Sequence, residues 1–246
     1  MVFAALNSVQ VENMFKGGVL IFLWFINVTA YGQNALPQFI IFPGTMPSAW
    51  SSSLGLTFTT TPRAITEEEH ISVPAIDFHV LKRAGENFNL DAHAYIQVIQ
   101  NHASIGFRWL HALSDKVNIS AGDDVAGWIG WIKIENINTR GHGLLNYPNV
   151  SLGYKVDEEL LVTLKAEVLL NFHQKFFAGE QEIEQNPQIY SGEAFTLALE
   201  QPFFKDTWVT LAFRAMYSNF FWQAWSLFEN YDRNIFYPEL TATFIL

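Results

Sequence analysis

The fold class this sequence predicts is all-β: an antiparallel transmembrane β-barrel of about ten strands, with eight or twelve as the neighbouring even counts. Three observations predict it. The stretch 160–172, LLVTLKAEVLLNF, puts Leu160, Val162, Leu164, Ala166, Val168, Leu170 and Phe172 on one side and Thr163, Lys165, Glu167 and Asn171 on the other. That is the period of a strand, and tilted by about 45° at about 3.3 Å per residue a run of this length crosses about 30 Å, the hydrocarbon thickness of a bilayer. The second observation is composition: of 246 residues 50% are apolar and 15% aromatic, but only 15% are charged. A soluble domain carries about 25% charged residues, so this chain is short of the ions that cover a water-facing surface. Third, the connections between alternating segments tend to be short and long by turns, as in barrels with short turns at one rim and long loops at the other.

Taken in order, residues 1–32 read as a cleaved signal peptide. Its apolar core is VLIFLWFINV at 19–28, with Lys16 before it and the small residues Ala30 and Gly32 after it. About ten apolar residues are too few for a membrane helix and suit a secretory signal. Residues 1–13 carry no positive charge and read as an upstream extension from a misplaced start. Residues 33–53, with three prolines and a serine cluster, form an irregular segment that either lines the lumen or hangs in the periplasm. The barrel occupies 54–246.

Strand one alternates Leu54, Leu56 and Phe58, and a charged loop with Glu67, Glu68 and Glu69 follows it. Strand two sets Ile76, Phe78 and Val80 against Asp77 and His79. Strand three, 88–99, sets Leu90, Ala92 and Ala94 against Asp91, His93 and Tyr95. A tight turn at Asn101 and His102 leads to strand four, with Ile105, Phe107 and Trp109 opposed to Ser104 and Arg108. The fifth, 117–134, contains Gly122, Asp123, Asp124 and Gly127 and is expected to be kinked, bulged or split. A polar loop is expected over 136–148, strand six around Val150, Leu152 and Tyr154, and strand seven at 160–172. An acidic loop over 173–188 precedes strand eight around Phe195 and Leu197. Strand nine follows with Leu211 and Phe213, then an aromatic loop over 219–234. Strand ten holds Leu240, Ala242 and Phe244.

The chain ends inside this last strand, with Phe244 two residues before Leu246. It resembles the C-terminal strand of Gram-negative outer-membrane proteins, although their terminal aromatic is Leu246 here. The resemblance implies the bacterial outer membrane as location, and membrane lipid and the outer-membrane insertion machinery as partners.

If the apolar faces meet lipid, the lumen receives a polar network of Asp77, His79, Asp91, His93, Arg108, Lys165, Glu167 and Arg214. Mixed charges in a narrow barrel pair and fill it, or else line a narrow pore or proton path with little ion selectivity. Phe221, Trp222, Trp225, Phe228 and Tyr231 suggest an aromatic belt at the interface, or an external ligand surface. His102 and Ser104 are the one catalytic candidate: a His-x-Ser pair resembles the catalytic element of outer-membrane lipid A deacylases, although the asparagine expected after the serine is Ile105. Asp91 and His93 offer two metal ligands with no third, so no metal is expected and no cofactor either. The absence of cysteine excludes thiol chemistry, and a net charge of −10 without a basic patch argues against nucleic acid.

The role this implies is passive: a porin-like small channel for transport, a conduit for a small hydrophobic ligand or other solute, or a structural surface protein. Two alternatives are a lipid-acting hydrolase using His102 and Ser104, and a secreted soluble β-sandwich binding a ligand through Trp222 and Trp225. On the lipid-face assignment, Leu164→Arg and Val168→Arg are each expected to cost about 2–4 kcal/mol, with Thr163→Arg better tolerated.

Overall fold

The computed structural model describes residues 37–61, 71–134, 137–184, 188–204, 207–227 and 233–246. The signal-peptide reading, most of the acidic loop after strand one, and Phe228 and Tyr231 lie outside them. Within them the strands are β1 (Trp50–Thr61), β2 (Ile71–Arg83), β3 (Phe88–Ile96), β4 (Gln100–Ala112), β5 (Val117–Ile134), β6 (Ile137–Lys155), β7 (Leu161–Ala178), β8 (Gln181–Ile183), β9 (Tyr190–Phe204), β10 (Thr207–Ser218) and β11 (Ile235–Ile245). Each pairs antiparallel with its neighbours, β11 pairs with β1, and β6 with β7 completes the ring. Ten strands therefore form a closed antiparallel barrel, and β8 is a short addition that pairs with β7 alone. Closure leaves no wall strand with an unpaired edge, the condition for placing a sheet in hydrocarbon.

Alternation decides which residues meet lipid. Along β7, Leu164 is 55% exposed while Thr163 is 1% exposed. Phe195, Leu197 and Leu199 on β9 and Leu240 on β11 are likewise exposed, whereas Ala194, Ala198 and Glu239 are buried. The exposed apolar side chains form the lipid-facing outside, and the polar ones are enclosed.

Several expected boundaries move. The turn after β3 is at residues 97–99, so Asn101 and His102 belong to β4. The fifth strand is neither bulged nor split, since its pairing with β6 runs without a register shift from Val117 opposite Tyr154 to Ile134 opposite Ile137. Of the loop expected over 136–148, residues 137–148 are the outer part of β6. Its glycines suggested a loop because close packing requires the same residue: a Cβ on Gly141 would lie 2.8 Å from the Trp225 ring and 3.0 Å from Phe176. β7 also runs on to Ala178 rather than ending in an acidic loop. Leu144 pairs with His173 and Leu145 with Asn171, so Phe172 is an extra residue and inward parity passes from odd to even. Past this bulge Gln174 and Phe176 point inward. Gly179, at φ 60°, then allows the reversal into β8. Finally, residues 50–53 of the expected irregular segment begin β1.

Both described ends of the chain lie at one rim, with the short connections at 84–87, 113–116 and 156–160. By the usual orientation this is the periplasmic rim, and β5, β6 and β7 rise beyond the rest of the wall at the other.

Candidate functional site in the lumen

The lumen is occupied at three levels. At the periplasmic end lies the strap, residues 37–49, whose Phe39, Ile40, Phe42 and Met46 are buried against Leu81, Leu161, Trp208 and Ile245. The strap is held by its backbone. Glu200 accepts the N–H of Ile40 at 2.6 Å and of Ile41 at 3.0 Å on one oxygen, and that of Phe42 at 2.8 Å on the other. Thr210 donates to the same carboxylate. Arg108 donates to the Ile40 carbonyl at 2.9 Å, Ser51 to that of Phe39 and Arg83 to that of Met46. Three successive N–H groups on one carboxylate form an anion-binding concavity in which the protein supplies both partners.

The middle level brings together all eight residues of the expected polar network. Asp91 binds Arg108 and, at 2.6 Å, His79; Asp77 binds His93 at 2.8 Å and accepts from Thr57 at 2.6 Å. Lys165 lies 2.9 Å from Glu167 and 3.8 Å from Asp124. Arg214 joins Glu167 at 3.0 Å to Glu239 at 2.7 Å, and Glu239 accepts from Thr59 at 2.9 Å. Three buried carboxylates of the lumen escaped the sequence reading: Asp124 and Glu239 at this level and Glu200 at the strap. Parity would have found each, since Glu239 precedes the outward Leu240, Glu200 follows the outward Leu199, and Asp124 precedes the outward Val125.

At the outer end the β10–β11 connection turns inward through a 3-10 helix, Trp222–Leu227. Phe220, Phe221, Trp222 and Trp225 are buried among Trp128, Phe176, Tyr237 and Met216. This corrects the expectation of a belt or external surface for Phe221, Trp222 and Trp225: their rings are inside the mouth. The reason is a slot in the wall, where Gly130 of β5 pairs directly with Gly141 of β6 and leaves room for the Trp225 indole. A Cβ on Gly130 would fall 2.2 Å from that ring, so Gly130→Val is expected to expel Trp225 and red-shift the tryptophan emission of the folded protein. An unchanged spectrum would contradict this packing.

A cavity of about 110 Å³ remains between strap and aromatic cap, lined by Ile40 below, Trp222 and Tyr147 above and the charged side chains around it. Its volume suits several waters, which need about 10–15 Å³ each on this measure. His102 and Ser104 both line it, yet they do not form a catalytic pair. His102 bonds Tyr147 at 3.1 Å and stacks on Trp222, and its Nδ1 has no partner among the described residues. Both residues face the closed lumen, away from the headgroup level that a lipid-acting enzyme needs. Asp91 and His93 engage different partners, and no cluster of three metal-binding side chains occurs among the described residues.

Comparison with known protein families and with curated proteins returns no match for this chain. Among solved structures it is similar to the translocator domain of the autotransporter NalP from Neisseria meningitidis, at 9% identity and a TM-score of 0.39, over 97% of this chain and 96% of that one. It is similar to the Pseudomonas putida toluene transporter TodX at 10% identity and a TM-score of 0.34, over 82% of this chain and 69% of that one. It is also similar to the attachment invasion locus protein Ail of Yersinia pestis, at 10% identity and a TM-score of 0.27, over 80% of this chain and 97% of that one.

Proposed function

We propose that this chain is a passive outer-membrane barrel, closed at rest, whose primary role is that of a structural surface protein. The observation that carries this reading is occupation of the lumen at every level: strap, ion-paired network and aromatic cap follow one another from rim to rim. Planar-bilayer recording of the purified protein tests it. The expected result is no steady conductance, and a large, stable conductance from the unmodified protein would overturn the reading.

One feature favours a second, gated reading, namely that a single carboxylate holds three N–H groups of the strap. Glu200→Ala is expected to release residues 37–49, making them cleavable by added protease while the barrel remains intact. Continued protection would remove the gate. Any path so opened is bordered by five carboxylates (Asp77, Asp91, Asp124, Glu167 and Glu239) and three permanent cations (Arg108, Lys165 and Arg214), which favours cations over anions. A hydrophobic-ligand conduit would need the aromatic cap to move, because the cavity beneath it, beside Leu145, Leu169 and Phe220, is only about 20 Å³. Recognition of β11 by the insertion machinery is part of the same proposal and rests on the outward apolar residues of that strand, Phe236 and Leu240 among them.

A further inference from the structure

Of the five carboxylates that border the central cavity, four have a permanently charged partner. Arg108 binds Asp91, Lys165 lies 3.8 Å from Asp124 and 2.9 Å from Glu167, and Arg214 bonds both Glu167 and Glu239. Asp77 is the exception. It is 3% exposed, and among the described residues no lysine or arginine reaches it. Its partners are the Thr57 hydroxyl, which donates to one oxygen at 2.6 Å, and the His93 Nε2, 2.8 Å from the other.

A carboxylate enclosed in this way needs a cation, and the His93 ring is the group placed to become one. His79 stacks on it with 4.6 Å between ring centroids, and each ring bonds a different carboxylate. The two rings are not equivalent. Asp91 is already neutralised by Arg108, whose Nη2 is 3.2 Å from His79 Nε2. A proton added to His79 would therefore meet a guanidinium on one side and His93 on the other, whereas a proton on His93 meets the unmatched Asp77. The other charged or titratable groups around His93 leave this balance unchanged. On its own strand, β3, Asp91 is held by Arg108 and Tyr95 is a neutral phenol. His102 on β4 bonds Tyr147 and has no carboxylate partner among the described residues. Lys165 on β7 is held by Glu167 and Asp124, and Arg214 on β10 by Glu167 and Glu239.

We infer that His93 carries a proton in the closed barrel at neutral pH, as the fourth cation of the lumen, and that loss of this proton in alkaline solution loosens the plug. The inference rests on the closed reading proposed above. With the proton in place every carboxylate of the cavity is matched. Without it, Asp77 stays enclosed beside a hydroxyl and a neutral ring. The folded barrel then holds a proton that the unfolded chain has released, so its stability falls as the pH rises.

Two measurements on the full-length protein test this. In detergent micelles at neutral pH, nuclear magnetic resonance of the seven isotopically labelled histidines is expected to show one solvent-shielded imidazolium, absent from His93→Gln and present in His79→Gln. In phospholipid vesicles, the urea midpoint of the parent protein is expected to fall as the pH is raised from about 6 to about 9. Asp77→Asn removes the need for a cation, and His93→Lys supplies a permanent one. Each should abolish most of that fall while the barrel still folds. An imidazolium that survives in His93→Gln would overturn the inference. A parent midpoint unchanged across this range would do so too, as would a fall that persists in both Asp77→Asn and His93→Lys. Neither measurement reads conductance, so a conducting barrel that keeps the imidazolium would sink the closed reading alone.

Discussion

Arg214→Ala is expected to lower the unfolding free energy of the barrel by about 3–5 kcal/mol, the usual cost of removing one partner from a buried ion pair. Among the described residues Arg214 alone links Glu167 on β7 to Glu239 on β11, donating to the former at 3.0 Å and to the latter at 2.7 Å. Its removal leaves two carboxylates facing each other's side of a closed lumen. Lys165 still serves Glu167 and Thr59 still serves Glu239, so the loss is large without abolishing the fold. Urea unfolding in phospholipid vesicles, followed by tryptophan emission, measures it. Combining Arg214→Met with Glu167→Gln and Glu239→Gln should recover most of the loss, because the penalty lies in uncompensated charge rather than in missing volume. A single variant as stable as the parent would show that the pairs contribute nothing to the closed state.

Leu164→Arg is expected to cost about 2–4 kcal/mol, the range for a cation facing the middle of the bilayer. Leu164 is 55% exposed and lies opposite Leu152 on β6 and Leu197 on β9, all on the apolar outside. The control is Leu113→Arg at the periplasmic turn. That residue is 57% exposed, but water is within reach, and the expected cost is about 0–1 kcal/mol. Equal costs at the two sites would mean that Leu164 does not face hydrocarbon.

The companion expectations at Val168 and Thr163 change once the structure is known. Val168 lies directly opposite Glu193, so an arginine there has a carboxylate to meet and Val168→Arg should cost less than Leu164→Arg. Thr163 does face inward, but at 1% exposure it has no room for a long side chain. Thr163→Arg should therefore be poorly tolerated, through overpacking and not through contact with lipid. Period-two alternation tells which side of a wall a residue is on. It says nothing of what occupies the space on that side.

The architecture and the faces are legible along the chain, because both follow from local rules. Apolar residues two apart along β2, β3, β7, β9 and β11 select a strand over a helix, and scarce charge selects lipid for the outer side. The same parity placed Asp77, His79, Asp91, His93, Arg108, Lys165, Glu167 and Arg214 in the lumen. Which of these pair, the return of residues 37–49 onto Glu200 and the inward turn of Trp222 and Trp225 into the mouth emerge only from contacts between distant strands. These contacts join residues as far apart as Ile40 and Glu200, and no local pattern encodes a meeting across that separation. The glycines make the same point: Gly141 falls in a stretch that reads as a loop and Gly130 carries no signal of its own, and they become a slot for Trp225 only when β5, β6 and the inturned loop come together.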